Sequence, residues 1–200
     1  MPSGTNAQPP HWFNLAALIV QGETTMTTPV SKIKNELADR EAIRECLYRY
    51  CRGVDRLDAE MVRSAYWPDV VDTHLEFTGN AEEFIAWSFP RMKMMDQSQH
   101  FLSNILITIR GNLADTESYF YGFHRINGPN GKFDAIGAGR YVDRLEKRGD
   151  EWRILERLVV TDWFRTYPDS ADWSKGMLGF MIEPGGRFPD DESYKRIRIE

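Results

Sequence analysis

Ile43, Cys46, Leu47, Tyr50, Cys51 and Val54 recur at intervals of three and four, which predicts an amphipathic helix from about Arg40 to Val54. Asp39 is its candidate N-cap. Asp58 offers a cap for a second, short helix through Met61, Val62 and Ala65, which Trp67-Pro68 stops. A third helix fits Ala81 to Met94, with Phe84, Trp87 and Ser88 on one stripe and Pro90 as a kink. From His100 onward the period becomes two. Phe101, Ser103, Ile105, Ile107 and Ile109 alternate with His100, Leu102, Asn104, Leu106 and Thr108, and further strands follow near Thr116–Ile126, Phe133–Lys147 and Glu151–Phe164. Asn127 to Gly131 and Lys147 to Asp150 carry the turn residues between them.

Helices followed by long consecutive strands predict an α+β fold, in which a curved antiparallel sheet wraps over about three helices. Gly122, Gly137 and Gly139 fall inside strands, where bends can curl the sheet into a half-open cone whose mouth would bind a ligand. Residues 1–30, rich in Pro, Gly, Thr, Asn and Gln, are expected to form a disordered extension, residues 31–170 the domain, and residues 171–200 a tail that packs little by itself.

Charge and cysteine content narrow the function. The 25 Lys and Arg against 30 Asp and Glu leave a formal charge of −5, the wrong sign for a chain that lives on nucleic acid. Cys46 and Cys51, the two cysteines, lie about 140° apart around one helix, so a disulfide between them is not expected and a reducing cytoplasm is the default. The apolar run Trp12 to Val20 is too short for a membrane span and lacks the basic flank of a signal peptide.

Several side chains could carry chemistry. Tyr50 and Asp55 sit near the end of the first helix, and both can face one pocket only if the chain leaves helical geometry near Gly53. On spacing alone, a surface Asp in an ordinary helix-ending turn is the reading that accounts for Asp55 first. His100 shares a mixed strand face with Leu102 and Asn104; held by a carboxylate in one tautomer it would present a free nitrogen as a base, and otherwise it is a structural hydrogen-bonding residue. Asp69, Asp72 and His74 form an Asp-x-x-Asp-x-His cluster, too few ligands for a metal without a distant histidine, so no metal is expected. His124 is assigned to the core or the pocket rim. Tyr119, Tyr121 and Phe123, with Trp163 and Phe164, are candidates for an aromatic pocket lining. Arg140, Arg144, Arg153 and Arg157 alternate with Glu146 and Glu156 and fit cross-strand ion pairs on a solvated sheet face. Glycine-rich phosphate loops, Gly-x-Ser-x-Gly and His-Glu-x-x-His are all absent.

Arg40-Glu41-Ala42-Ile43 leading to Tyr48 through Arg56, then His100, then Gly139 to Glu146 and Trp152-Arg153-Ile154, resembles the SnoaL-like domain of the nuclear transport factor 2-like superfamily over about residues 35 to 165. The resemblance implies a cone-shaped fold and a lyase or isomerase that uses no cofactor and acts on a small hydrophobic cyclic or polycyclic molecule. It also implies that Tyr50, Asp55 and His100 work together. His100, oriented by Asp55, would remove a proton while Tyr50 donates a hydrogen bond. An arginine that relatives bring into the pocket from the last strand would fall near Thr161 or Asp162, leaving no clear counterpart. Trp67, in place of a histidine in Tyr66-Trp67-Pro68-Asp69, would alter the pocket rim, and His124 would join the substrate-contacting set. The alternative is a binding scaffold or the small subunit of a ring-hydroxylating oxygenase. A homo-oligomer of two or three copies is expected.

Overall fold

In the computed structural model, residues 29–168, 175, 180 and 185–197 are described. The expected extension, with its Trp12–Val20 island, lies outside them except for its last two residues. The chain runs α1 (Val30–Arg56), α2 (Ala59–Ala65), β1 (Tyr66–His74), β2 (Phe77–Gly79), α3 (Ala81–Met92), β3 (Met95–Arg110), β4 (Leu113–Gly128), β5 (Gly131–Arg148), β6 (Glu151–Pro168) and α4 (Glu192–Arg196). The strands form one sheet in the order β2-β1-β6-β5-β4-β3, antiparallel except where β1 runs parallel to β6. Helices α1 to α3 pack on its concave face, and α4 packs against the end of α1. This is the nuclear transport factor 2-like cone, as its helix and strand order predicts.

Helix α1 begins ten residues before the predicted start, with Pro29 in the capping position and no side-chain cap. Asp39 is therefore inside the helix. Its carboxylate instead accepts from Lys147 at 2.7 Å and from the Trp152 indole at 2.9 Å, tying α1 to the β5–β6 hairpin. The helix stays regular through Gly53 to Arg56, and the left-handed residue that ends it is Leu57, at φ 56°. Gly53 serves a different purpose from the predicted break. A Cβ there would lie 2.8 Å from the backbone nitrogen of Val62, so glycine lets α2 pack directly on α1. Asp58 caps α2 through the Met61 amide, as its position predicts. A reciprocal capping box of Asn80 and Glu83 starts α3.

Segment 66–74, where the Trp67-Pro68 pair reads as a stop, is strand β1. Strand β3 does not keep one alternation. Register shifts between Ser103 and Leu106, where Asn104 takes φ 48°, and the inward face passes from Ser98, His100 and Leu102 to Ile105, Ile107 and Ile109. Neither predicted stripe of this strand therefore runs its full length. The core gathers Ile43, Leu47, Tyr50, Val54, Phe84, Tyr141, Leu145, Trp152 and Ile154 with both cysteines, which are buried free thiols. Among the described residues no helix is long and apolar enough to cross a membrane.

Candidate active site

Asp55, on the last turn of α1, and His100, on β3, meet in the interior. The carboxylate accepts from His100 twice, its Oδ1 lying 2.7 Å from the ring Nδ1 and its Oδ2 2.8 Å from the backbone N–H. Ser98 Oγ donates to the same Oδ1 at 3.0 Å and lies 3.2 Å from His124 Nδ1. One tautomer satisfies the whole chain of bonds. His100 carries its proton on Nδ1, the Ser98 hydroxyl donates to Asp55 and accepts from His124 Nδ1–H, and both histidines keep Nε2 as a free lone pair. The two Nε2 atoms converge over Gly122, where a Cβ would lie 3.2 Å from one and 3.4 Å from the other. Glycine at this position leaves the imidazoles room. Burial pushes the Asp55 carboxyl up, but the bonds from His100 and Ser98 outweigh it and hold it below the usual carboxylate range.

His100 and His124 line a cavity of about 230 Å³ whose other walls include Tyr50, His74, Phe84, Trp87, Ser88 and Met95. Tyr50 is buried under the Arg157 guanidinium, whose carbon is 4.0 Å from the ring centroid. Burial chiefly, against the pull of Arg157, raises the Tyr50 pKa far above its ordinary value, so the phenol remains a proton donor. Tyr50 and Asp55 thus sit on one continuous helix, without the predicted departure at Gly53; Asp55 bonds His100, and Tyr50 lines the same cavity as His100. A second hollow of about 240 Å³, lined by Tyr48, Arg52, Asp55 and Arg56, also borders His100. A larger depression, about 640 Å³, is an open groove on the outer sheet face. Its Asp115, Arg144 and Glu156 side chains hydrogen-bond to one another, with the arginine in the middle.

The aromatic lining lies elsewhere than predicted. Inward positions on β4 are Ser118, Phe120, Gly122 and His124, so Tyr119, Tyr121 and Phe123 point to the outer face, where Tyr121 meets Trp163 edge-on at 6.1 Å. Tyr119, Tyr121, Trp163 and Phe164 are exposed. Trp67 is also far from the rim: its indole donates to the Glu146 carbonyl, and Arg148 and Arg153 stack on it. The cavity takes its aromatic character from Tyr50, Phe84 and Trp87 instead.

Arg157 corrects the solvated ion-pair assignment. Its side chain is 0% exposed, bonded twice to an equally buried Asp143 at 2.7 Å and enclosed by the rings of Tyr50 and Tyr141. This is an arginine on the last strand reaching Tyr50, four positions before Thr161. The β5–β6 register shift between Leu145–Ile154 and Arg144–Glu156 turns it inward, which simple alternation could not reveal. Around it, Tyr66 donates to Asp72 at 2.5 Å, and His74 Nδ1 stands 3.9 Å from the other carboxylate oxygen. Burial raises Asp72 to about 6 and lowers His74 to about 3. Asp69 is on the surface, bonded to Arg148, so the Asp-x-x-Asp-x-His residues do not converge. Among the described residues no three His, Cys, Asp or Glu side chains gather as a metal site.

The model of the SnoaL-like domain family matches residues 35–158, and the chain belongs to that family. Among solved structures, a hexachlorocyclohexane dehydrochlorinase from Novosphingobium barchaimii is 16% identical, with a TM-score of 0.62 over 76% of this chain and 99% of that one. A protein provisionally named scytalone dehydratase from Novosphingobium aromaticivorans is 16% identical, with a TM-score of 0.60 over 80% and 99%. A provisionally named aromatic ring hydroxylase from Novosphingobium aromaticivorans is 19% identical, with a TM-score of 0.57 over 70% and 96%. At these identities the likeness is one of fold. No curated protein matches the chain.

Proposed function

We propose that the protein is a cofactor-independent lyase or isomerase acting on a small hydrophobic cyclic substrate with an acidic C–H. The observation that carries this reading is the 2.7 Å His100–Asp55 bond at the wall of an apolar cavity. Asp55 holds the Nδ1 proton, leaving Nε2 to remove a proton from the substrate, and stabilises the imidazolium that forms. Tyr50, kept protonated, donates to the oxygen or leaving group on which charge develops. Elimination and double-bond migration share this first step. The dehydratase and dehydrochlorinase names of structurally similar proteins fit elimination.

The test is proton exchange. Ring ketones, hydroxy-ketones and chlorinated rings are incubated with the protein in D₂O and followed by NMR. Wild type should exchange or eliminate at the carbon next to the activating group. His100→Ala should lose roughly 10²–10⁴ in rate while its ligand affinity stays within about tenfold. Binding of several such compounds, with no exchange by wild type from mildly acid to mildly alkaline pH, would favour a non-catalytic scaffold or an oxygenase small subunit.

A further inference from the structure

The described part of the C-terminal segment, expected to pack little, lies across the end of α1 and the start of β3. These are the two places that carry Asp55 and His100. Gln97 Nε2 donates to the Gly185 carbonyl at 2.7 Å, and the Phe188 N–H donates to the Arg56 carbonyl at 2.7 Å. Tyr194 donates to Asp58 at 3.0 Å, while Arg52 bonds Ser193 at 3.0 Å and stacks 4.7 Å over the Tyr194 ring. Between these contacts Arg187 donates from Nη1 to the Asp55 carbonyl and from Nη2 to the Met95 carbonyl, the latter at 3.2 Å. The last carbonyls of a helix have no partner within it, so this bond meets a need of α1 and also ties it to β3.

We propose that Arg187 is a positioning residue for the Asp55–His100 pair. Its planar fork bridges the backbones that present the two side chains and keeps a positive charge fixed behind them. The docking and the charge stand without any reaction; only the kinetic consequence rests on the proposed lyase reading. The charged and titratable groups around the pair include Tyr48, Tyr50, Cys51, Arg52 and Arg56 from α1, His74 from β1, Asp96 from β3, His124 and Arg125 from β4, Tyr141 from β5, and Arg187 with Asp191 from the segment. The cation also acts on His124, less strongly than burial, His100 or Asp55 do. Burial first, then His100 and Arg187, depress it to about 4, against an opposing pull from Asp55.

The test uses the full chain carrying Arg187→Gln or Arg187→Lys, with imidazole titration by NMR and hydrogen exchange of the His100 amide. In the Gln variant His124 should titrate higher than in wild type, and the His100 amide should exchange at least about tenfold faster than neighbouring β3 amides. The Lys variant should leave His124 near its wild-type value yet still loosen that amide, because one ammonium cannot match the fork. With a substrate from the exchange screen, kcat should fall at least about tenfold in the Gln variant with KM little changed. An unmoved His124, or a loss of protection spread evenly over the sheet, would show the segment to be packing only and would overturn the proposal. If Arg187→Gln fails to fold, the Lys variant decides by the same amide comparison. Neither NMR measurement needs a substrate, so failure of the lyase reading leaves the result on Arg187 intact.

Discussion

His124 and His74 stand in the cavity wall uncharged, with burial as the main cause, at about 4 and about 3 against roughly 6.5 in an unfolded chain. A base whose folded pKa lies below its unfolded value lets the unfolded state take up protons first. Stability from these residues is thus full above about 6.5 and is lost as the pH falls towards 4. Asp72 works in the opposite sense. Its folded value of about 6 lies above the unfolded 3.8, so its cost is present above about 6 and disappears towards 3.8. The melting temperature of wild type should therefore fall between pH 7 and pH 4, and less steeply in His124→Asn. Asp72→Asn should be more stable than wild type at pH 7, by on the order of 1–3 kcal/mol, and not at pH 3.5. Calorimetry across that range checks both signs. At the same scale, Asp55→Asn should reduce proton transfer by about 10²–10⁴ and Tyr50→Phe by less, since the phenol contributes one hydrogen bond to developing charge; kcat measured beside ligand affinity separates them.

Among the elements, α1 and α2 meet through Gly53. Gly53→Ala should destabilise by about 1–3 kcal/mol in urea melts, because the methyl meets the Val62 backbone, which cannot move aside as a flexible side chain would. The helices were legible because their apolar spacing matches one buried face, and the strands because alternation and turn residues agree. Reading failed where an element departs from its own period. The bulge at Asn104 divides the inner face of β3, and the shift before Glu156 carries Arg157 into the core, so neither face assignment could follow from counting by twos. Tyr119, Tyr121 and Phe123 share one parity, but the sequence does not say which face is concave. Asp55 with His100 was legible only as two positions of the right chemical type; their contact depends on how α1 crosses β3. For Arg157, truncation to Met alone should cost about 3–5 kcal/mol by stranding Asp143, whereas Arg157→Met with Asp143→Leu should recover most of it, as denaturant titration would show.

Across the whole molecule the cavity sets the size of the guest. A hollow of about 150 Å³ suffices for benzene, so about 230 Å³ suits one or two rings. In thermal-shift titrations such compounds should stabilise the protein, and four-ring compounds of similar polarity should not; equal shifts from both would place binding outside this hollow. The unclosed sheet has consequences beyond catalysis. Its two edges are β2, three residues long, and β3, sixteen residues long; a long edge is a template on which another chain can add a strand, and Asp55 at the His100 N–H, Arg40 at the Ile107 carbonyl and Arg187 at the Met95 carbonyl cover only part of it. The kink at Asn104 breaks that template in the middle, so the irregularity that lets His100 and the isoleucines face inward on one strand also discourages fibril-like growth. Between Ser103 and Leu106 β3 takes three steps against two on β4, so deleting Asn104 would remove the one extra residue, keep His100 and the isoleucines on one face, and leave the edge an unbroken template for a strand from another chain.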